Sequence, residues 1–171
     1  MAQRAIRIVH TDVKSGEGVD LQADIMDEGD FQRIRVIAPR AMLVCNLLEH
    51  VENPRAFVAR CLAVLPPGGL VFVTVPYSYP FHRDPIDTML RPNLADLTSL
   101  FSGGADCLFG EIIDVGESYR NQLANRPWIV FRHVLRLPVP FLGIEKWRRS
   151  MGKLRWLVQN YRVTCAVFRK T

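Results

Sequence analysis

The sequence has no close pair of cysteines and no long unbroken apolar run. Its four cysteines are widely spaced and form no C-x-x-C motif: Cys45, Cys61, Cys107 and Cys165. This spacing argues against a disulfide framework and a zinc site, and it is typical of a reduced, cytosolic protein. We recognise no signal peptide, and the most apolar late stretch, residues 128–144, is interrupted by Arg, His and Pro. That stretch is too broken to span a bilayer.

Acidic residues are almost missing from the last third of the chain. Residues 120–171 contain 12 Lys or Arg but a single acid, Glu145, whereas residues 1–119 contain 10 Lys or Arg and 16 Asp or Glu. The formal net charge of +5 therefore hides a strongly basic segment behind an acidic body.

Tryptophan is interleaved with this basic charge within residues 120–157, which we call the basic segment. Two interpretations fit this pattern. The segment either makes peripheral contact with an anionic membrane, or it is a helical insert with Trp side chains packed on the sheet and charges in water. No recognition motif accompanies the charge, so specific binding of nucleic acid is not expected.

The length and composition predict one soluble globular domain over residues 1–171, with the basic segment as its insert. Apolar residues make up 49% of the chain, and the mean hydropathy is near zero, at +0.05. Both values are ordinary for a globular protein with a single core.

The best-defined pattern lies in residues 42–76. Residues 42–46 (MLVCN) and 70–75 (LVFVTV) are short apolar runs typical of buried strands, and Pro76 is expected to end the second. Between them, Asn53-Pro54 predicts a helix start, and PPGG at residues 66–69 predicts its end. A strand, a helix and a strand of these lengths predict a right-handed crossover with parallel strands.

The remaining elements are predicted from shorter patterns. Residues 31–40 form a helix or turn, and residues 92–101 form an amphipathic helix. Four further segments supply strands, at residues 5–10, 19–25, 111–119 and 161–169.

Polar and aromatic residues follow both strands of the crossover at their carboxyl ends. Open parallel sheets bind ligands at that edge, so the sequence places a site there. Its candidate members after the two strands are Asn46, Glu49, His50, Tyr77 and His82.

The sequence at this point resembles the class I S-adenosylmethionine-dependent methyltransferases, type 11 in particular. LLEHVENPRAF (47–57) followed by LPPGGLVFVTVP (65–76) is similar to strand four, its turn and helix, and the entry to strand five of that fold. PFHRDPIDTMLRP (80–92) is similar to the segment after strand five in relatives that act on small or glycan-like acceptors. The resemblance implies an α/β fold with a Rossmann-like, mostly parallel sheet and flanking helices.

The resemblance implies S-adenosylmethionine as the cofactor and a set of residues that bind it. An acid that ends strand two would hold the ribose hydroxyls, and one that ends strand three would lie beside the adenine. Asp12 and Asp24 match those positions. The residues after strand four complete the predicted cofactor site: Asn46, Leu47, Glu49 and His50.

The sequence departs from the family before strand two. The glycine-rich turn that normally follows strand one is missing, and Gly16-Glu17-Gly18 does not replace it because a strand pattern follows with no room for a helix. Strand one normally lies between strands two and four. Three interpretations remain open: residues 5–10 pair directly with residues 42–46, another chain completes the sheet, or the reading frame starts late.

The acceptor side is expected in residues 77–91. His82, Asp87 and Arg91 are candidates for acceptor binding together with Tyr77, and His82 and His50 are candidate proton acceptors. Arg91 either holds an anionic group of the acceptor or pairs with Asp87. His-x-Asp at residue 82 is a poor metal motif because further ligands at suitable spacing are missing.

Two functions follow. The first is methyl transfer from S-adenosylmethionine to a small-molecule or glycan- or lipid-linked acceptor, in the cytoplasm or peripherally at a membrane. The second is a catalytically inactive methyltransferase-like remnant that serves as a partner subunit or a membrane-proximal scaffold, which the missing glycine-rich turn favours.

Overall fold

The computed structural model describes residues 6–81, 86–126, 128–129, 131, 144, 147–148, 151–152 and 155–171. Within these residues the chain forms an α/β structure with helices packed against a mixed sheet. Its elements are, in order, β1 (Thr11–Asp12), β2 (Leu21–Gln22), α1 (Glu28–Val36), β3 (Ala41–Cys45), a 3₁₀ turn (Leu48–His50), α2 (Pro54–Val64), β4 (Leu70–Ser78), α3 (Leu94–Phe101), β5 (Ala105–Ser118), α4 (Tyr119–Asn125), a second 3₁₀ turn (Arg155–Leu157) and β6 (Asn160–Lys170).

The predicted order of strand, helix and strand, with parallel strands, is confirmed as β3–α2–β4, but β3 is not the buried strand that was expected, since Val44 is its only buried residue. β3 and β4 are parallel and in register from Ala41 beside Leu70 to Cys45 beside Thr74. Asn53 caps α2 by accepting a hydrogen bond from the Ala56 amide at 3.0 Å. The apolar face of α2 is buried, and each such side chain contributes about 1.5–3 kcal/mol. Its buried members are Phe57, Val58, Cys61, Leu62 and Val64.

The main sheet has the strand order β3-β4-β6-β5. β6 runs antiparallel to both β4 and β5, so the expected final strand lies inside the sheet. The α/β fold class is therefore confirmed, with the parallel β3–β4 pair inside a mixed sheet.

β4 continues beyond the proline that was expected to end it. Pro76 pairs with Val163, and the register shifts before Ser78, which pairs with Arg162. A proline lacks only the donor N–H, and an irregular register accommodates that loss.

The N-terminal strands are much shorter than the sequence predicts. Residues 6–10 form no strand, and residues 19–25 contribute only Leu21 and Gln22 to β2. β1 and β2 pair in parallel as a separate two-stranded sheet, so the described residues of segment 5–10 do not pair with β3. Hydrogen bonds of the His10 carbonyl with the amides of Asp20 and Leu21 extend this contact by one residue.

Helix α1 joins this small sheet to the rest of the molecule through α2. Arg60 of α2 donates to Glu28 Oε2 at 2.7 Å, and its guanidinium lies 4.6 Å from the centre of the Phe31 ring. Phe31 and Ile34 belong to the same buried core as Val44 and Phe57.

The two faces of the main sheet differ. One face packs on α2 and α3, where the rings of Phe101 and Phe168 stack at 3.9 Å between centroids. The other face carries a row of paired apolar residues across all four strands, of which Leu43 is 74% exposed. We call this row the open-face row: Leu43, Phe72, Val167 and Phe109.

No helix in the described ranges is long and apolar enough to cross a membrane. Part of the basic segment lies outside those ranges, so its predicted helical nature is observed only in pieces, such as α4.

Candidate active site

The carboxyl ends of β3 and β4 meet at one edge of the sheet and are held together by Asn46. The Asn46 amide donates to the Thr74 carbonyl at 2.8 Å. Its φ of 49° lies in the left-handed region, which asparagine tolerates better than most residues. This conformation turns the chain sharply into the Leu48–His50 turn.

The residues after Asn46 point in different directions. Leu47 is exposed, whereas Leu48 and Glu49 are buried. Leu48 belongs to the hydrophobic core, and Leu47 offers an apolar surface at the edge of the sheet. Leu48 is therefore a core residue, and of the two leucines only Leu47 has an exposed side chain that could contact a ligand.

Residues 86–91, which we call the strap, are docked on the Leu48–His50 turn. Thr88 donates to the Glu49 carbonyl from its amide at 2.8 Å and from its hydroxyl at 3.0 Å. The Nδ1 atom of His50 hydrogen-bonds the Ile86 carbonyl. The structure therefore brings the cofactor-side and acceptor-side segments of the prediction into direct contact.

Asp87 and Arg91 of the strap pair with each other. Arg91 donates through Nη2 to Asp87 Oδ2 at 2.7 Å and through Nη1 to Asp87 Oδ1 at 3.2 Å. The Asp87 side chain is fully buried and that of Arg91 is 11% exposed. Arg91 was predicted either to hold an anionic group of the acceptor or to pair with Asp87, and the structure shows the ion pair with Asp87.

Tyr77 lies at the end of β4 beside β6. The guanidinium of Arg162 lies 5.3 Å from the centre of its ring, a cation–π contact. This places an aromatic ring and a cation at the edge where an acceptor is expected.

An aromatic cluster next to Tyr77 was not predicted from the sequence. The Tyr161 ring lies 4.6 Å from that of Tyr79 and 5.7 Å from that of Trp156, and Tyr119 packs in the same group. Burial raises the pKa of Tyr161 to about 12, with smaller contributions from Tyr79, Tyr119 and Glu117. The cluster links residues at both ends of the basic segment to the end of β4. In the sequence, the only indication of this cluster is the recurrence of Tyr and Trp next to the predicted ends of helices and strands.

Asp12 and Asp24 lie on the small sheet and in the turn after it. Asp12 Oδ1 accepts from the Lys14 amide at 2.8 Å, and Asp24 Oδ1 accepts from the Met26 amide at 2.9 Å. Both are exposed, and among the described residues the Oδ2 atom of each has no hydrogen-bond partner. A free carboxylate oxygen of this kind can accept from a hydroxyl of a ligand.

His82 lies outside the described residues, as does Asp84. Within the described ranges no group of three or more His, Cys, Asp or Glu side chains is arranged to hold a metal ion.

Comparison with known proteins gives structural likeness only. No family model and no curated protein matches the sequence. The crystal structure of the [4+2]-cyclase SpnF matches 78% of this chain and 51% of its own, with a TM-score of 0.50 and 23% identity. The chain therefore shares the α/β fold of that structure, in agreement with the fold that the resemblance implied. At this identity the likeness establishes the fold and not an activity.

Two further structures match with TM-scores below 0.5. A protein named as a sarcosine dimethylglycine methyltransferase from Galdieria sulphuraria has a TM-score of 0.49 and 15% identity, with 78% of this chain and 54% of its own covered. Coclaurine N-methyltransferase, bound to N-methylheliamine and SAH, has a TM-score of 0.46 and 14% identity, with 77% and 46% covered. The chain thus spans about half the length of each of these three solved structures.

Proposed function

We propose that this chain forms part of an S-adenosylmethionine-dependent methyltransferase that acts on a small-molecule or glycan- or lipid-linked acceptor. The observation that carries the proposal is the docking of the strap on the Leu48–His50 turn at the carboxyl edge of the parallel β3–β4 pair. In an open α/β sheet this is the edge where ligands bind.

The residues that the resemblance assigns to the cofactor, on and after the small sheet and at the carboxyl edge of β3, carry groups that fit its nucleoside part. Asp12 and Asp24 each keep one carboxylate oxygen for ligand hydroxyls or amines, and the exposed Leu47 offers apolar contact. By resemblance, Asp12 takes the ribose hydroxyls and Asp24 lies beside the adenine. When bound, the cofactor supplies an electrophilic methyl group on its sulfonium.

The work left to the protein is alignment of the acceptor with that methyl group. Tyr77 and the strap lie on the acceptor side of the edge. Because Arg91 and Asp87 form an ion pair inside the strap, we assign them to stabilising the strap. Tyr77 and His82 are then the residues that we propose to contact the acceptor.

A dedicated base is not required by this chemistry. Both ring nitrogens of His50 face protein groups, namely the Ile86 carbonyl and the Glu49 carboxylate. This arrangement favours a positioning role for His50 over removal of a proton from the acceptor.

The open-face row favours a second candidate function, that of a non-catalytic partner subunit. Soluble monomers rarely leave a contiguous apolar surface uncovered, and Leu43, Phe72 and Phe109 are all exposed. A scaffold role predicts that this face, and not the carboxyl edge, carries the function.

Calorimetric titration of the chain with S-adenosylmethionine separates the two. The enzyme predicts a Kd of about micromolar size, and Asp12→Asn should weaken it about tenfold or more, since a charged acceptor is lost. Asp106→Asn is the matched control, because Asp106 is an exposed aspartate of β5 outside the proposed site. An absence of binding heat at millimolar cofactor would overturn the enzyme proposal and support the scaffold.

A further inference from the structure

The open-face row lies on the face of the main sheet opposite α2 and α3. Its large side chains are exposed, Leu43 by 74%, Phe109 by 58% and Phe72 by 39%. Parallel strands are normally covered on both faces, and soluble monomers rarely leave a contiguous apolar surface in water. The exposure of this row therefore requires an explanation.

The rows on either side of the open-face row determine what can pack there. Toward the carboxyl edge of β3, the next row consists of three small, neutral side chains and an acid: Cys45, Thr74, Cys165 and Glu111. Burial raises the pKa of the Cys165 thiol, and Cys45 and Glu111 raise it further, in agreement with a shared face. In the opposite direction, the next row carries the ion pair of Arg169 and Asp106, at 4.0 Å. The face thus has an apolar centre, with an acid on one side and an ion pair on the other.

A second copy of the chain fits this face when the two sheets are related by a two-fold axis along the open-face row. The row then lies on itself, and the row of Glu111 in each copy lies over the row of Arg169 in the other. Stacked sheets are about 10 Å apart, a gap that long charged side chains reaching from both sides can bridge. Arg169 thereby gains a second carboxylate neighbour beside Asp106, and Glu111 gains a cation.

The other two-fold arrangement of stacked sheets, about an axis parallel to the strands, is unfavourable. It places Glu111 over Cys45 of the other copy, because β5 then lies over β3. Burying a carboxylate without a counter-ion costs several kcal/mol. The charges of the face therefore select the axis along the open-face row.

The size of the face suits a weak but specific dimer. Strands lie about 4.8 Å apart and side chains on one face recur at every second residue, so three rows across four strands bury about 1,200 Å² in total. This area is at the low end of the range for specific interfaces, and we expect a Kd of about micromolar size.

We propose that two copies of this chain associate face to face through the open-face row, with Glu111 of each copy beside Arg169 of the other. The two sheets form the inner layers, and α2 and α3 of each copy stay outside. The two carboxyl edges lie at opposite ends of the dimer, so both candidate sites stay accessible. The dimer does not depend on the proposed function, and it accounts for the apolar face without a foreign partner.

Sedimentation velocity of the whole chain over about 1–100 µM tests the association. We expect a reversible shift from the chain mass of 19.5 kDa to twice that mass. Leu43→Glu should weaken association more than tenfold, because the two new carboxylates face each other within an apolar row. Val36→Glu is the matched control, since Val36 is 85% exposed at the end of α1, outside the sheet. Circular dichroism checks that both variants fold.

Exchange of the two charges tests the arrangement. Glu111→Lys should weaken association about tenfold, because it places two cations side by side, and Glu111→Lys combined with Arg169→Glu should restore it. Monomer over the whole concentration range overturns the proposal and leaves the face to a foreign partner or a further segment of polypeptide. Larger assemblies in place of a dimer also overturn it, because a two-fold pairing is closed. Association unaltered by Leu43→Glu, or a double variant as weak as Glu111→Lys alone, has the same consequence.

Discussion

Thr164 in the middle of β6 donates a hydrogen bond of 2.6 Å from its hydroxyl to the carbonyl of Pro92. Thr164 is fully buried, and Pro92 directly precedes Asn93, which caps α3 by accepting from the Asp96 amide. This single bond therefore fixes where the chain leaves the strap and enters α3.

Thr164→Val should destabilise the fold by about 1–3 kcal/mol, because it leaves the Pro92 carbonyl buried without its donor. Urea unfolding measures the loss. Thr98→Val is the control: the Thr98 hydroxyl bonds the Leu94 carbonyl within α3, which the helix itself already satisfies, so about 0.5 kcal/mol or less is expected. Equal losses of unfolding free energy in the two variants would show that the Thr164–Pro92 hydrogen bond contributes no more to stability than the Thr98 hydroxyl bond within α3.

The buried pair in the strap supports a second prediction. Asp87→Asn should destabilise the fold by about 3–5 kcal/mol, because it leaves the Arg91 guanidinium buried opposite a neutral amide. The free energy of unfolding in urea is again the measurement.

The surface pair between Asp106 and Arg169 provides the contrast for Asp87→Asn. Its atoms are 4.0 Å apart and both side chains are more than half exposed, so Asp106→Asn should cost less than about 1 kcal/mol. A small effect of Asp87→Asn, similar to that of Asp106→Asn, would mean that the strap does not depend on its ion pair.

The crossover was predictable because its signals are local and agree with one another. Asn53-Pro54 sets the start of α2, and residues 66–69 set its end, with Gly68 at a φ of 78° in the turn. The predicted lengths of the N-terminal strands were wrong because the β-forming residues in 5–10 and 19–25 do not indicate whether a partner strand is present. Strand length depends on pairing, and β1 and β2 have only each other among the described residues.

The site was predictable in its location but not in its contacts. Position at the carboxyl ends of two strands follows from topology, and the structure brings His50 and the strap together there. The burial of Glu49 and the pairing of Asp87 with Arg91 depend on how residues 86–91 fold back, which no periodicity in the sequence encodes. The aromatic cluster around Tyr161 joins Tyr79 and Tyr161, which are 82 positions apart, so no local pattern predicts that these rings meet.

The raised pKa of Tyr161 predicts how stability responds to alkaline pH. Its value rises from 10 to about 12 on folding, chiefly through burial, and burial likewise raises that of Cys61 from 9 to about 12. Both groups favour the folded state below the pKa of the unfolded chain. That contribution is lost as the pH rises from about 9 for Cys61, and from about 10 for Tyr161, toward 12.

The urea midpoint between pH 8 and pH 11 checks this response. We expect a decline that starts near pH 9 and steepens above pH 10, and Tyr161→Phe should remove the steeper part. Cys61→Ala should instead remove the part that starts near pH 9. If Tyr161→Phe declines as steeply as the wild type above pH 10, the cluster does not hold its phenol neutral.

Two tryptophans of the basic segment differ in how exposed they are, and this difference gives a prediction about membrane binding. Trp156 is 5% exposed and packs on Tyr161, as the insert interpretation expects, whereas Trp128 is 66% exposed and lies near the exposed Phe131.

We propose that the Trp128 end contacts an anionic membrane, since exposed aromatic rings among Arg and Lys are typical of membrane interfaces. The chain should then float with vesicles that contain phosphatidylserine and dissociate in 0.5 M salt, which screens charge. Trp128→Ser should weaken flotation several-fold, and Phe109→Ser, an exposed aromatic of the open-face row, should not. Flotation on pure phosphatidylcholine, or equal loss in both variants, would point to general stickiness of exposed rings in place of a membrane site.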